Sequence, residues 1–283
     1  MIDPSPLNPL DHSASSATFI AIAVGNTRTR VGVLKGKECV KAQSIATSSS
    51  DEIARYAAQL FDEFEFSSAE PVVMMSSVSS EAADAIEESL HKLLNWSVNR
   101  IGRDVEIPIR HTLTEVGEQT VGQDRLLCAV GAFGIVNQAC IVVDMGTAIT
   151  VDFVDGEGVF HGGAIMPGVN MMLESLSQST AHLPAVKYTK PNTPNNEPAK
   201  QTDEAMLLGV YAAVSGSIRF LAERYAQFYE GYPQVIATGG DIGVLEDDEL
   251  IEAFVPDLQL QGIRATCESL LSQDDHEDAE FDR

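Results

Sequence analysis

Two segments of this chain resemble each other, and the repeat constrains the fold more than any other feature. FIAIAVGNTRTRVGVLKG begins at Phe19, and CIVVDMGTAITVDFVDGEG begins at Cys140. Each has an apolar run of β-forming residues, a polar turn with glycine and a second β-forming run, which is the pattern of a β-hairpin. Aligning Gly25 with Gly146 places Ala23 opposite Asp144, at an offset of 121 residues. Solenoid repeats are shorter, so this spacing predicts two copies of one domain topology, with two unrelated hairpins as the alternative.

Helical and strand patterns alternate between the hairpins. DEIARYAAQLFDEF and SEAADAIEESLHKLL carry apolar residues at spacings of three and four, and PVVMMSSV between them is typical of a buried strand. In the second half, a long helix near Asp203 to Tyr229 precedes the strand QVIAT. Strands that alternate with helices predict an α/β fold, in which the two hairpins make the sheets mixed.

The sequence predicts two domains between two disordered ends. Residues 1–17, rich in Ser, Pro, Asp and Asn, are predicted to be a disordered leader. Residues 18–138 form a predicted N-terminal domain and residues 139–272 a C-terminal domain. Residues 273–283 carry DDHEDAEFD and are predicted to be a disordered acidic tail.

The charge balance excludes some partners. The 18 basic and 42 acidic residues give a formal net charge of −24, which repels nucleic acid and acidic membrane surfaces. We find no apolar run of the ~18 residues that a membrane span needs, and no secretory signal pattern at the N-terminus. The four cysteines have no CxxC spacing and lie in apolar surroundings. Buried reduced thiols, and hence a cytoplasmic location, are the prediction; disulfides would need an oxidising compartment.

The turns of the two hairpins suit phosphate oxygens, because they present backbone N–H groups and hydroxyls with little side-chain bulk. The candidates are Gly25, Asn26, Thr27 and Thr29 in the first half, and Gly146, Thr147 and Thr150 in the second. A single Gly-Asn turn is also common in ordinary hairpins. Two such turns, one in each domain and facing each other across a cleft, would hold a triphosphate.

Acidic residues at two element ends are candidates for chemistry. Asp124 and Arg125 in GQDR open the apolar stretch LLCAVGAFGIV. A helix start favours a carboxylate there, and the arginine could orient an anion; an ordinary ion pair at a helix start is the alternative. Asp144 ends the apolar run IVVD, where a buried carboxylate needs a partner. His161 has no second His or Cys at ligand spacing and is interpreted as a surface or turn residue.

Seven motifs together carry a family resemblance. In this order, GNTRTRVGVL, VGQDRLLCAVGAF, VDMGTAITVDFVD, GGAIMPGVNMMLESLSQSTAHLP, TDEAMLLGV, VIATGGD and VPDLQLQGI resemble the type III pantothenate kinases. The resemblance covers about Phe19 to Leu271. It implies two duplicated actin-like ATPase (ribonuclease H-like) domains with mixed sheets flanked by helices. It also implies a homodimer that uses ATP to convert pantothenate to 4'-phosphopantothenate, the first step of coenzyme A biosynthesis.

The same resemblance implies roles for individual residues. Asp124 matches the general base that takes the proton from the primary hydroxyl of pantothenate, within the substrate-binding run of Gly122, Gln123, Asp124 and Arg125. Arg125 would face the pantothenate carboxylate, and Thr202 matches a further substrate contact. Asp144 matches the residue that holds a monovalent cation, K⁺ or NH₄⁺.

Further residues match the nucleotide site, where Mg²⁺ accompanies ATP. Thr147 matches an ATP contact, and Gly239 and Gly240 match the glycine turn near the adenosine. The matching phosphate loop consists of Ala23, Val24, Gly25, Asn26, Thr27, Arg28, Thr29 and Arg30.

Two residues depart from the family pattern. Ala23 stands where the phosphate loop has an Asp that positions magnesium, and Glu115 stands near the place of a tyrosine that contacts pantothenate. The first departure motivates an alternative, a catalytically weak or inactive nucleotide-binding or regulatory homologue; a kinase for another hydroxylated acid is a third possibility. We expect Ala23→Asp to raise kcat/KM at little cost in stability, because a carboxylate that faces a cleft stays hydrated.

Overall fold

The computed structural model describes residues 18–66, 70–192 and 197–281. The predicted leader, residues 1–17, lies outside the described residues. Contacts within the chain define two compact units. The first runs to Pro108 and takes up the chain again at Gln259, and the second is Ile109–Leu258.

The first unit contains a five-stranded sheet in the order β3-β2-β1-β4-β5. The hairpin strands β1, β2 and β3 are antiparallel, whereas β4 and β5 run parallel to β1. Two helices cover one face, where Ile53, Leu60, Ile86 and Leu90 are buried. The elements are β1 (Thr18–Val24), β2 (Arg28–Lys35), β3 (Glu38–Ala46), α1 (Ser50–Glu63), β4 (Val73–Ser77), α2 (Ser80–Leu94) and β5 (Asn99–Arg100).

The second unit contains a six-stranded sheet in the order β11-β10-β7-β8-β9-β6. Helices α5 and α6 pack on one face and α4 on the other. The elements are β6 (Arg110–His111), α3 (Glu115–Thr120), α4 (Gln123–Val136), β7 (Cys140–Met145), β8 (Ala148–Val154), β9 (Val159–Pro167), α5 (Val169–Gln178), α6 (Thr202–Tyr229), β10 (Gln234–Thr238), a 3₁₀ helix (Ile242–Leu245) and β11 (Ala253–Phe254). The last helix of the chain is α7 (Leu258–Phe281).

The two sheets repeat one topology. The order β9-β8-β7-β10-β11 in the second unit reproduces β3-β2-β1-β4-β5 in the first. The register repeats as well, because Ala23 pairs with Ser76 on β4 and Asp144 pairs with Thr238 on β10. The predicted α/β fold and its duplication are therefore confirmed, including both hairpins and the strand QVIAT.

The unit boundary differs from the predicted one at residues 138/139. Helix α4 belongs to the second unit because its Cys128 and Ala129 pack with Cys140 and Val142 of the second sheet. Helix α7 returns to the first unit, where Leu260 lies against Gly32. The acidic tail also differs from the prediction of disorder, since the backbone is helical to Phe281. No glycine or proline follows Gly262 to end that helix.

Helix α6 bears on the membrane prediction. By length and composition alone, Thr202–Tyr229 is apolar enough to cross a membrane, although the sequence analysis found no such run. Val210, Val214 and Ile218 of this helix are buried in the core of the second unit. A packed core helix meets the same criteria, so the finding is weak evidence for a membrane span. The four cysteines are free, and all except Cys39 are buried.

Candidate active site

Asp124 lies in the first turn of α4, two positions after the helix N-cap Gly122. The backbone N–H of Arg125 donates to Asp124 Oδ1 at 2.9 Å. A Cβ atom on residue 122 would clash with Asp124 Oδ1. Glycine at residue 122 thus leaves room for the carboxylate to fold back over the helix start, where the macrodipole favours negative charge.

Arg125 pairs with Asp152 and not with its neighbour Asp124. Arg125 Nε lies 3.1 Å from both carboxylate oxygens of Asp152, and Nη2 also donates to Oδ1. The guanidinium lies 5.7 Å from the centre of the Phe160 ring. Burial lowers the pKa of Arg125, but the hydrogen bond and charge of Asp152 outweigh it and hold that pKa above its ordinary value. The arginine is thus fixed by a bidentate, almost fully buried partner.

Asp152 was not among the residues that the sequence analysis selected. It lies on β8 and is 1% exposed. The opposite residue on β9 is Gly163, where a Cβ atom would clash with Val151 O and Asp152 Oδ1. A lone carboxylate within the apolar strand AITVDFV is the signal that could have identified it, because a buried charge needs a partner.

Asp144 is the second-last residue of β7 and lies near the same acids. Burial, together with the charges of Asp124 and Asp152, raises the pKa of Asp144 to about 7. Gly239 has φ +100°, and a Cβ atom there would lie 2.6 Å from Asp144 Oδ1, so only glycine fits beside it. The charges of Asp124 and Asp152 thus both act on Asp144, while Arg125 is paired with Asp152.

The acids Asp124, Asp144 and Asp152 lie close enough for their charges to interact. Among the residues that the structure describes, no three His, Cys, Asp or Glu side chains are arranged to hold a metal ion together. His161 lies on β9, where Asp155 Oδ2 is 2.7 Å from Nε2 and Thr112 Oγ1 is 3.3 Å from Nδ1.

The first hairpin turn is hydrogen-bonded to Thr47, a residue of the loop after β3. Thr47 Oγ1 donates to Gly25 O at 2.9 Å and lies 3.0 Å from Thr29 Oγ1. Thr29 is fully buried, so its hydroxyl stabilises the turn and does not face solvent. Asn26 and Thr27 are the exposed part. Arg28, also exposed, donates from Nε to Ser44 Oγ at 2.9 Å.

The position of Ala23 differs from the prediction. It was expected to face a cleft, but it is 2% exposed, between Arg30 on β2 and Ser76 on β4. Val24 is buried as well. A carboxylate at position 23 would therefore be desolvated, at a cost in stability unless hydrogen-bond donors meet it.

The second turn is also closed by backbone hydrogen bonds, but it is one residue shorter than the first. Gly146 N–H donates to Ala148 O at 3.1 Å, and Gly168 N–H donates to Thr147 O at 3.0 Å. Thr147 is exposed. Thr202, also exposed, is the first residue of α6. Both residues are open to solvent in the second unit.

Comparisons with known proteins agree with one another. The sequence pattern of the type III pantothenate kinase family matches residues 19–224. The type III pantothenate kinase of Syntrophotalea carbinolica is 31% identical over 259 residues, which cover 87% of this chain and 96% of that protein.

Two solved structures are similar in fold. A candidate Baf family transcriptional activator of Campylobacter jejuni has a TM-score of 0.55 at 18% identity, covering 90% of this chain and all of that one. Component A of the Acidaminococcus fermentans (R)-2-hydroxyglutaryl-CoA dehydratase has a TM-score of 0.52 at 15% identity, covering 90% and 97%. These likenesses show the actin-like ATPase fold and no more. By its sequence, this chain belongs to the type III pantothenate kinase family.

Proposed function

We propose that this chain transfers the γ-phosphoryl group of ATP to pantothenate, giving 4'-phosphopantothenate for coenzyme A biosynthesis in the cytoplasm. Family membership makes it a phosphotransferase. The observation that supports the proposal most is Asp124, held by the backbone N–H of Arg125 at the start of α4 and close enough to Asp144 to raise its pKa.

Asp124 is the proposed general base. It takes the proton of the primary hydroxyl as that oxygen bonds to the γ-phosphorus, and the bond from this phosphorus to the β–γ bridging oxygen breaks to release ADP. Positioning and charge stabilisation dominate such transfers, so the fixed geometry of the base matters more than its basicity.

The acceptor contacts that we propose are Gly122, Gln123, Arg125 and Thr202. Among the described residues, the side-chain oxygen of Gln123 is buried and has no hydrogen-bond partner. Such an orphaned acceptor costs free energy, so it suits an O–H or N–H donor of pantothenate. Asp152 accepts hydrogen bonds from Nε and Nη2 of Arg125 and so fixes the guanidinium. The remaining N–H groups of Arg125 would bind the pantothenate carboxylate.

The nucleotide contacts that we propose are residues 23–30 and Thr147. Ala23, Val24 and Thr29 are buried, so they support the turn, while Asn26 and Thr27 are exposed. Magnesium is proposed to arrive with ATP, because position 23 offers no carboxylate. It would offset phosphate charge during the transfer.

Ala23→Asp is expected to raise kcat/KM by at least about tenfold, since a carboxylate there can orient magnesium-bound water. The buried position now predicts a lower melting temperature as well. Steady-state kinetics and thermal unfolding of both proteins check this. If the wild type is already fast and Ala23→Asp does not raise kcat/KM, another group orients the metal.

Activity is expected to depend on potassium or ammonium, because Asp124 and Asp152 add negative charge beside Asp144 that a monovalent cation can offset. Rates in matched potassium and sodium buffers check this, and Asp144→Ala should abolish the dependence together with most of the rate. Equal wild-type rates in the two buffers would contradict the assignment of Asp144.

A homodimer is expected from the outer face of α6. Phe220 and Phe228 are more than half exposed, as is Ile165 on β9, and the small residues Ala213 and Gly216 lie in a groove beside Phe220. Exposed apolar area of this kind marks a protein contact. Sedimentation at micromolar concentration should give twice the chain mass of 30.4 kDa. A monomer alone would refute the dimer.

An ADP-release assay tests the proposed function, with purified protein, ATP, magnesium and potassium, and with pantothenate present or absent. We expect release that depends on pantothenate. Nucleotide binding without release in either case would favour the non-catalytic alternative that Ala23 motivates.

A further inference from the structure

The internal duplication allows equivalent positions of the two units to be compared. Two positions that carry aspartates in the second unit carry uncharged residues in the first. In the second unit, Asp144 on β7 pairs with Thr238 on β10, and Asp124 is the second residue of α4. In the first unit, Ala23 on β1 pairs with Ser76 on β4. Gln259 is the second residue of α7, so this first-unit group has no carboxylate.

Contacts within the first unit join these residues. Paired residues of adjacent strands project to the same face of a sheet, so the Ser76 side chain lies beside the methyl group of Ala23. Gln259 Nε2 donates to Ser76 Oγ at 3.3 Å. Ser76 is fully buried, whereas Gln259 is partly exposed. Ser76 therefore anchors the amide of a partly exposed residue near the end of β1.

The chemistry of this group suits an anion. An amide nitrogen carries two hydrogens, and Ser76 takes only one of them. A carboxylate at this place would repel phosphate oxygens unless a divalent cation stood between them. With Ala23 and Gln259, neither the repulsion nor the need for a bridging cation arises.

We infer that Gln259 binds the nucleotide phosphates directly through its free amide hydrogen, with Ser76 as its positioning residue. Nucleotide binding by this chain is then nearly independent of magnesium, which serves the transfer step instead. The inference rests on the proposed ATP-dependent function and concerns only its nucleotide half.

The test measures the Kd of a fluorescent non-hydrolysable ATP analogue with excess magnesium and with EDTA. Wild-type Kd values should agree within about threefold in the two conditions, and Gln259→Leu should weaken binding about tenfold in both, as for a lost hydrogen bond to a charged group. Gln43→Leu, an exposed glutamine on β3 of the same unit, is the matched control and should change neither value.

Two variants that introduce an acid should make nucleotide binding depend on magnesium, unlike binding by the wild type. Gln259→Glu keeps the side-chain shape, and Ala23→Asp places an acid beside Ser76. Each should weaken binding in EDTA and make affinity magnesium-dependent by at least about tenfold, because an acid beside phosphate needs a cation. Thermal unfolding of each variant checks that it is folded.

Three outcomes would overturn the inference: a wild type that loses tenfold or more in affinity with EDTA, Gln259→Leu with unchanged affinity, or no nucleotide binding at all. Pantothenate is absent throughout. If binding behaves as expected while ADP release ignores pantothenate, the inference stands and the proposed function fails.

Discussion

Asp124→Asn should lower kcat by at least about 100-fold while nucleotide affinity stays near the wild-type value. The amide keeps the size of the side chain and an oxygen for the Arg125 N–H, but it cannot accept the proton of the attacking hydroxyl. Steady-state kinetics with saturating ATP and pantothenate measure this loss. The melting temperature should fall only slightly.

Asp203→Asn provides the matched stability control. Asp203 is the second residue of α6, and its Oδ1 accepts from Glu204 N–H at 2.9 Å, as Asp124 does from Arg125. Both variants keep that oxygen but lose the negative charge at a helix start, so their melting temperatures should fall by similar amounts. An unchanged kcat in Asp124→Asn would remove Asp124 from the mechanism. A much larger loss of melting temperature than in Asp203→Asn would indicate a structural role instead.

Asp152→Ala should lower both stability and activity. It leaves the guanidinium of Arg125 without its partner, and the side chains of Arg125 and Asp152 are only 14% and 2% exposed. Removing one member of a buried ion pair typically costs about 3–5 kcal/mol in the free energy of unfolding. Urea unfolding measures that cost, and kcat/KM for pantothenate should fall with it because Arg125 loses its orientation.

A double variant separates the two effects. Arg125→Leu with Asp152→Leu removes both charges, so it should recover most of the stability lost in Asp152→Ala. Activity should not return, because the proposed contact with the pantothenate carboxylate is gone. A double variant with restored kcat/KM would show that the pair serves folding alone.

Local patterns were enough to predict most of the fold. Apolar residues at spacings of three and four gave α1 and α2, and two β-forming runs around Gly25 and Gly146 gave the hairpins. The duplication was visible in sequence because each hairpin keeps the same order of strand, glycine turn and strand. The shared strand order of the two sheets confirms that interpretation.

Contacts between distant segments were not predictable in the same way. Helix α4 packs on the second sheet and α7 on the first, and nothing in the periodicity of either helix says which sheet it covers. Thr29 looked like a ligand contact, but Thr47, 18 residues away, binds its hydroxyl. Asp124 and Asp144 were identified at element ends, whereas the partner of Arg125 came from β8, 27 positions along the chain.

The central claim is that this chain phosphorylates the primary hydroxyl of pantothenate with Asp124 as the base. Phosphorus NMR of a reaction with ATP, magnesium, potassium and pantothenate tests it directly. We predict one phosphate monoester on that hydroxyl for each ADP released, and almost none with Asp124→Asn. ADP formed without the ester, or an ester formed equally fast by Asp124→Asn, would contradict the account.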